Sequence, residues 1–76
     1  MNNDRRRELN RICGQIERAL SDLEAVQAEE EDSRDSTPEN LQGTERYEIS
    51  EAACDRIAEA VDGLNAAIDA IAEAAE

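Results

Sequence analysis

Histidine, lysine, phenylalanine and tryptophan are missing altogether from this 76-residue chain, and each absence removes a class of chemistry. Without histidine there is no imidazole ligand, and two separated cysteines cannot complete a zinc site. Three glycines, at Gly14, Gly43 and Gly63, form no phosphate-cradling loop. No nucleophile stands with a base beside it. The single aromatic, Tyr47, gives no stacking platform for nucleic acid, and the core must be built from Leu, Ile, Val and Ala. No apolar run approaches the ~20 residues of a membrane span, and no signal peptide is legible, so a cytoplasmic location without membrane contact is expected. Catalysis and cofactor binding are not expected. The residues predict a non-catalytic protein.

What is present is charge, of mostly one sign. Residues 1–18 hold five arginines against three acids, a net of +2, and the rest hold three arginines against seventeen acids, a net of −14. A chain of net charge −12 avoids nucleic acid and anionic membrane and is drawn to basic proteins. The run Glu29-Glu30-Glu31-Asp32 lacks the glycine and the alternation of a calcium loop. Arg5-Arg6-Arg7 make a poor electrostatic footprint for direct nucleic-acid binding on so acidic a chain.

The second feature present is a seven-residue apolar repeat. From Cys54 the sequence reads CDRIAEA-VDGLNAA-IDAIAEA, with Ile57, Leu64 and Ile71 in one row and Ala53, Ala60, Ala67 and Ala74 in another. Cys54, Val61 and Ile68 lie beside the alanines, and Asp55, Asp62 and Asp69 lie opposite. Such a repeat keeps one seam of a helix against another helix along its whole length. The first segment repeats as well. Leu9, Ile16 and Leu23 fill one expected seam row and Ile12, Ala19 and Val26 the other, with Cys13 and Leu20 widening the stripe.

The pattern predicts an all-α antiparallel two-helix hairpin forming one domain over residues 1–76. Helices are expected at about 4–31 and about 45–75, with a connector over 32–44 holding a short helical turn near 38–42. Asn2, Asn3 or Asp4 would cap the first helix and Thr44 the second. Thr37-Pro38-Glu39 has the order of a cap, a first-turn proline and an acid, and Gly43 would end the short turn while Leu41 tucks over the bundle end. A turn so placed sets Cys13 opposite Leu64 and Cys54 opposite Leu23. The thiols would lie ~15 Å apart along the axis, beyond the reach of a disulfide. Arg5–Arg7 at a helix start and Glu73 and Glu76 at a helix end each oppose the helix dipole, and an antiparallel pairing would set them side by side.

The connector Thr37-Pro38-Glu39-Asn40-Leu41-Gln42-Gly43-Thr44-Glu45-Arg46-Tyr47 resembles a pattern in small acidic helical proteins of phages and prophages. In those proteins a Pro-Glu-x-Leu-Gln-x-Ser/Thr-Glu stretch joins two long helices. This chain departs in its second helix, which is richer in alanine and poorer in glutamate. The resemblance implies an accessory protein of a phage or mobile element, acting in the bacterial cell.

Seventy-six residues lie near the lower limit for independent folding, so self-association is expected. The widened stripe of Leu20, Val61 and Ile68 would stay uncovered in a lone hairpin, and two hairpins forming a homodimeric four-helix bundle would cover it. The expected function is inhibition of a host protein with a basic surface, in the manner of counter-defence proteins. Leu41, Tyr47, Asp55, Asp62 and Asp69 are the candidate contacts. One version is nucleic-acid mimicry, because a dimer of charge −24 over roughly 45 Å approaches the ~26 phosphate charges of a duplex that long. The competing readings are a structural oligomerisation module and an antitoxin-like partner of a basic protein.

Overall fold

The computed structural model describes residues 1–76 as two long helices and a tight turn: α1 over Asn3–Asp35, a 3-10 turn over Glu39–Leu41, and α2 over Glu45–Ala74. Asn2 caps α1 by accepting the Arg5 N–H at 2.8 Å, and Thr44 caps α2 by accepting the Tyr47 N–H at 3.3 Å. Both side chains satisfy a backbone donor that the helix itself cannot.

The first helix runs four residues past its expected end. Acidic residues do not stop a helix, and its last turn also gains Arg34, whose charge suits the negative end of the dipole. The stop is Pro38, which bars helical geometry at the residue before it. Thr37 consequently faces backwards. Its hydroxyl donates to the Ser33 carbonyl at 3.3 Å and does not cap the turn that follows. Gly43 keeps a negative φ, so no left-handed glycine ends the 3-10 turn. The Thr44 hydroxyl closes it, donating to the Leu41 carbonyl at 2.8 Å.

The helices pack antiparallel. The Cys13 thiol donates to the Ile68 carbonyl at 3.9 Å, and the Ser50 hydroxyl donates to Glu30 Oε1 at 2.6 Å, so rising numbers on α1 meet falling numbers on α2. These pairs displace the expected register by three to four residues, because the longer α1 moves the centre of the turn toward Asn40. Cys13 therefore meets Ile68 and not Leu64. The position facing Cys54 moves to about Gln27, and the two free thiols stand ~21 Å apart along the axis.

The buried residues and most of the half-buried ones fall in rows spaced three and four apart. On α1 these rows are Arg6, Leu9, Cys13, Ile16, Leu20, Leu23, Gln27, Glu30 and Arg34; on α2 and its C-cap they are Tyr47, Ser50, Cys54, Ile57, Val61, Leu64, Ile68, Ile71 and Ala75, while Ile12, Gly14, Glu31, Ala53, Ala58 and Ala67 are half-buried on the flanks. This alternation is that of a coiled-coil seam. It corrects the expected α1 seam: Cys13 and Leu20 take the central row, while Ala19 and Val26 stand exposed on its flank. Apart from Arg6, the seam is apolar toward the chain ends and polar toward the turn, where Gln27, Glu30 and Arg34 of α1 lie near Ser50 and Tyr47 of α2.

No ion pair crosses between the helices. Arg7 pairs with Asp4 at 3.9 Å and Arg56 with Glu59 at 3.0 Å, Arg11 pairs with Glu8, and Arg34 Nε meets Asp35 at 3.0 Å. The expected attraction of Arg5–Arg7 for Glu73 and Glu76 is thus replaced by local contacts, Arg6 donating to Asn3 Oδ1 at 3.2 Å. Short i,i+3 pairings require no reach across the seam and cost less side-chain entropy.

The result is a rod of 59 × 15 × 13 Å. Its radius of gyration is 17.3 Å, against the ~11 Å of a compact chain this long. Only Cys13, Leu20 and Cys54 are buried, and no side chain is fully enclosed.

Candidate interaction surfaces

The seam divides the outer surface into two edges of opposite character. One edge is acidic. Glu17, Glu24 and Glu31 form a row on α1, and Asp55, Asp62 and Asp69 form a row on α2. The thiols show that the two rows share a side. Burial pushes the Cys13 thiol up, and the carboxylates of Glu17 and Asp69 push it further. Burial likewise raises Cys54; Arg34 opposes this, and Glu30, Glu31 and Asp55 add to it. Glu17 also accepts the Cys13 thiol at 3.7 Å. All three aspartates are exposed, and the row spacing is ~10.5 Å along the axis.

The other edge is apolar. Ile12, Ala19 and Val26 line it from α1, and Ala53, Ala60, Ala67 and Ala74 from α2. At the turn it opens into a groove of about 710 Å³ between Ser33, Leu41, Tyr47, Ile49 and Ala53. The groove shows that the Ile12–Val26 row, which continues to Ser33, and the Ala53–Ala74 row lie on one side of the molecule. Ile49 is 63% exposed, Val26 49% and Leu41 46%.

The structure separates the residues singled out in the sequence. Leu41 and Tyr47 come together in the groove, Leu41 exposed there and not tucked over the bundle end, Tyr47 half-buried. Asp55, Asp62 and Asp69 stand on the opposite edge, so the five do not form one contact patch. Leu20 is 8% exposed and sits in the seam with Val61 and Ile68, which corrects the expectation that these three face outward from a lone hairpin. Their place on the surface is taken by Ala19, Val26 and Ile49, with Ile12 half-buried beside them. A clue was present on α2, where the bulkier row of Cys54, Val61 and Ile68 runs beside a row of alanines. The bulkier row gains more by burial and takes the seam.

No cluster of three or more cysteine or acidic side chains converges at metal-binding distance, and no helix is long and apolar enough to cross a membrane. Comparison of the chain with family models, with curated proteins and with solved structures finds no match.

Proposed function

We propose that this chain is a non-catalytic protein–protein interaction protein that self-associates into a four-helix bundle and presents its acidic edge to a basic surface on another protein. The observation that carries the reading is the segregation of the two edges. One rod-length side holds two rows of carboxylates, all exposed except the half-buried Glu31, and the other holds half-buried to exposed aliphatics and alanines. An acidic edge of this length steers a cationic partner that comes within about a Debye length of it, and the apolar edge provides area for a second hairpin. The phage-like connector supports a counter-defence inhibitor acting on a nucleic-acid-handling protein of the bacterial host. Mimicry here is a matter of field and not of atom-for-atom copying, since carboxylates ~10.5 Å apart in a row are sparser than phosphates at ~3.4 Å per strand.

The test is capture from bacterial lysate on tagged protein, washed through rising salt and read by mass spectrometry. A basic protein that elutes as salt rises supports the reading. Retention unchanged through half-molar salt would remove the electrostatic face from it. The continuous apolar edge also favours a second reading, a structural oligomerisation module; recovery of the chain alone, as a stable self-complex, selects that one.

A further inference from the structure

We propose that two copies meet through the edge formed by Ile12, Ala19, Val26, Ala60, Ala67 and Ala74, related by a two-fold axis that runs the hairpins in opposite directions and passes beside Ala19. This rests on the self-association proposed above, and adds to it the face, the direction and the register.

The rod has surface to give to a second copy. The chain exposes 5596 Å², whereas a compact protein of 8.4 kDa exposes roughly 4,600 Å². The excess of ~1,000 Å², spread over the whole rod, exceeds the ~800 Å² that each partner contributes to a stable interface. Of the large exposed apolar side chains, Val26 lies on this edge and Met1, Leu41 and Ile49 lie toward the two ends of the rod, and the acidic edge faces away from it on both copies.

Register follows from the residues on the edge. A two-fold at Ala19 sets Ile12 of one copy opposite Val26 of the other, twice, and sets the two Ala19 residues against each other. Ile68 facing Cys13 then places the α2 crossing between Ala60 and Gly63. Ala60 of each copy meets Gly63 of the other, Ala53 meets Ala70, and Ala74 meets the exposed Ile49. Small residues at the crossing let two backbones approach closely. Space for a neighbour exists there, since a Cβ built on Gly63 meets nothing within 4 Å.

Charge is mixed in both directions. Asp22 and Glu29 lie along the α1 rim of this edge, with Arg11 and Arg18 one row further out. Hairpins running in opposite directions bring Arg18 near Asp22 and Arg11 near Glu29 of the second copy, each pair occurring twice, and lay Arg5 near Asp32, but they also set Glu8 opposite Glu29. Hairpins running the same way would set α1 against α2 of the second copy. Asp22 would then face Glu59 and Glu8 would face Glu73, while Arg56 would lie between Asp22 and Glu29. The rod ends favour the first arrangement. Met1, 58% exposed, falls opposite Thr37 of the second copy, at the mouth of the groove lined by Leu41 and Ile49.

The experiment combines sedimentation of the full chain with two glycine variants and two cysteine variants. Neither Gly14 nor Gly63 has anything within 4 Å of an added Cβ, so a side chain can start from either position in the lone hairpin, and circular dichroism checks that each leucine variant stays helical. The expected result is a wild-type dimer, Gly63→Leu weakened at least tenfold in dimer affinity, and Gly14→Leu unchanged. Ala19→Cys is expected to form a disulfide between the two copies under mild oxidation, joining the introduced thiols to each other and identified by peptide mapping, whereas Ala28→Cys on the opposite side is not. A wild-type dimer that Gly63→Leu leaves intact and Ala19→Cys does not cross-link overturns the face while sparing self-association. A dimer that Gly63→Leu weakens but Ala19→Cys fails to cross-link overturns the direction. A wild-type monomer at 100 micromolar overturns both this inference and the self-association beneath it.

Discussion

Replacing Leu20 and Val26 separately by alanine tests the assignment of the α1 seam, because the two residues exchange roles between the periodicity and the packing. Leu20 is 8% exposed and Val26 49%. Leu20→Ala deletes three carbon groups that are almost wholly covered, worth about 2.4 kcal/mol at ~0.8 kcal/mol each. The seam is open on both sides, so little enclosed cavity remains, and the total should stay at the low end of the ~2–5 kcal/mol range, near ~2.5 kcal/mol. Val26→Ala deletes two groups that are half in water, about 0.8 kcal/mol. Alanine returns up to ~0.7 kcal/mol of helix propensity at that site, so the net change should be close to zero. The assay is urea denaturation followed by circular dichroism, at protein concentrations low enough that association does not add to stability. A Val26→Ala cost equal to or greater than that of Leu20→Ala would refute the seam assignment.

Four further outcomes follow from named contacts. Thr44→Ala removes the acceptor for the Tyr47 N–H and should cost about 1 kcal/mol, read in the same urea titration. Replacing Glu30 by Leu together with Ser50 by Ala exchanges a half-buried polar pair for apolar contact and should raise the melting temperature, whereas Ser50→Ala alone should lower it. Both thiols have pKa values raised by burial above the ordinary 9.0, so their contribution to stability is complete below that value and is lost as pH climbs through the higher folded values. Unfolding monitored from about pH 8 to about pH 10.5 should show this decline, and a Cys13→Ala, Cys54→Ala double variant should flatten it. Gly14→Ala should stabilise the chain by up to ~1 kcal/mol, since nothing obstructs the added methyl group.

Much of this fold was legible in the residues. The caps at Asn2 and Thr44, the turn after Pro38 and the two apolar repeats each rest on local chemistry that needs no tertiary information. The seam of α1 was not legible. Ile12, Ala19 and Val26 repeat every seven residues as regularly as Cys13, Leu20 and Gln27 do, and a period cannot say which of two adjacent apolar rows is central. That choice depends on the facing helix, through the register that ties Cys13 to Ile68. The register in turn depends on where α1 stops, and a run of acids resembles a linker although it is helical through Asp35. The acidic edge was half legible: the Asp55–Asp69 row stood out, but its alignment with Glu17 and Glu31 exists only once the helices are paired.

The uneven seam has a kinetic consequence. Contacts nearest the turn are polar, and the aliphatic zipper, from Leu9 to Leu23 against Ile57 to Ile71, lies toward the open end of the hairpin. Cys13 and Ile68 are separated by 55 positions in the chain, and Glu30 and Ser50 by 20. Closing the longer loop costs about 0.9 kcal/mol more entropy than closing the shorter one. Little attraction near the turn rewards the first steps of zipping, so the docking of preformed helices far from the bend should limit the folding rate. A helix from another molecule offers the same zipper without that loop, so at high concentration refolding chains should exchange helices before each closes on itself.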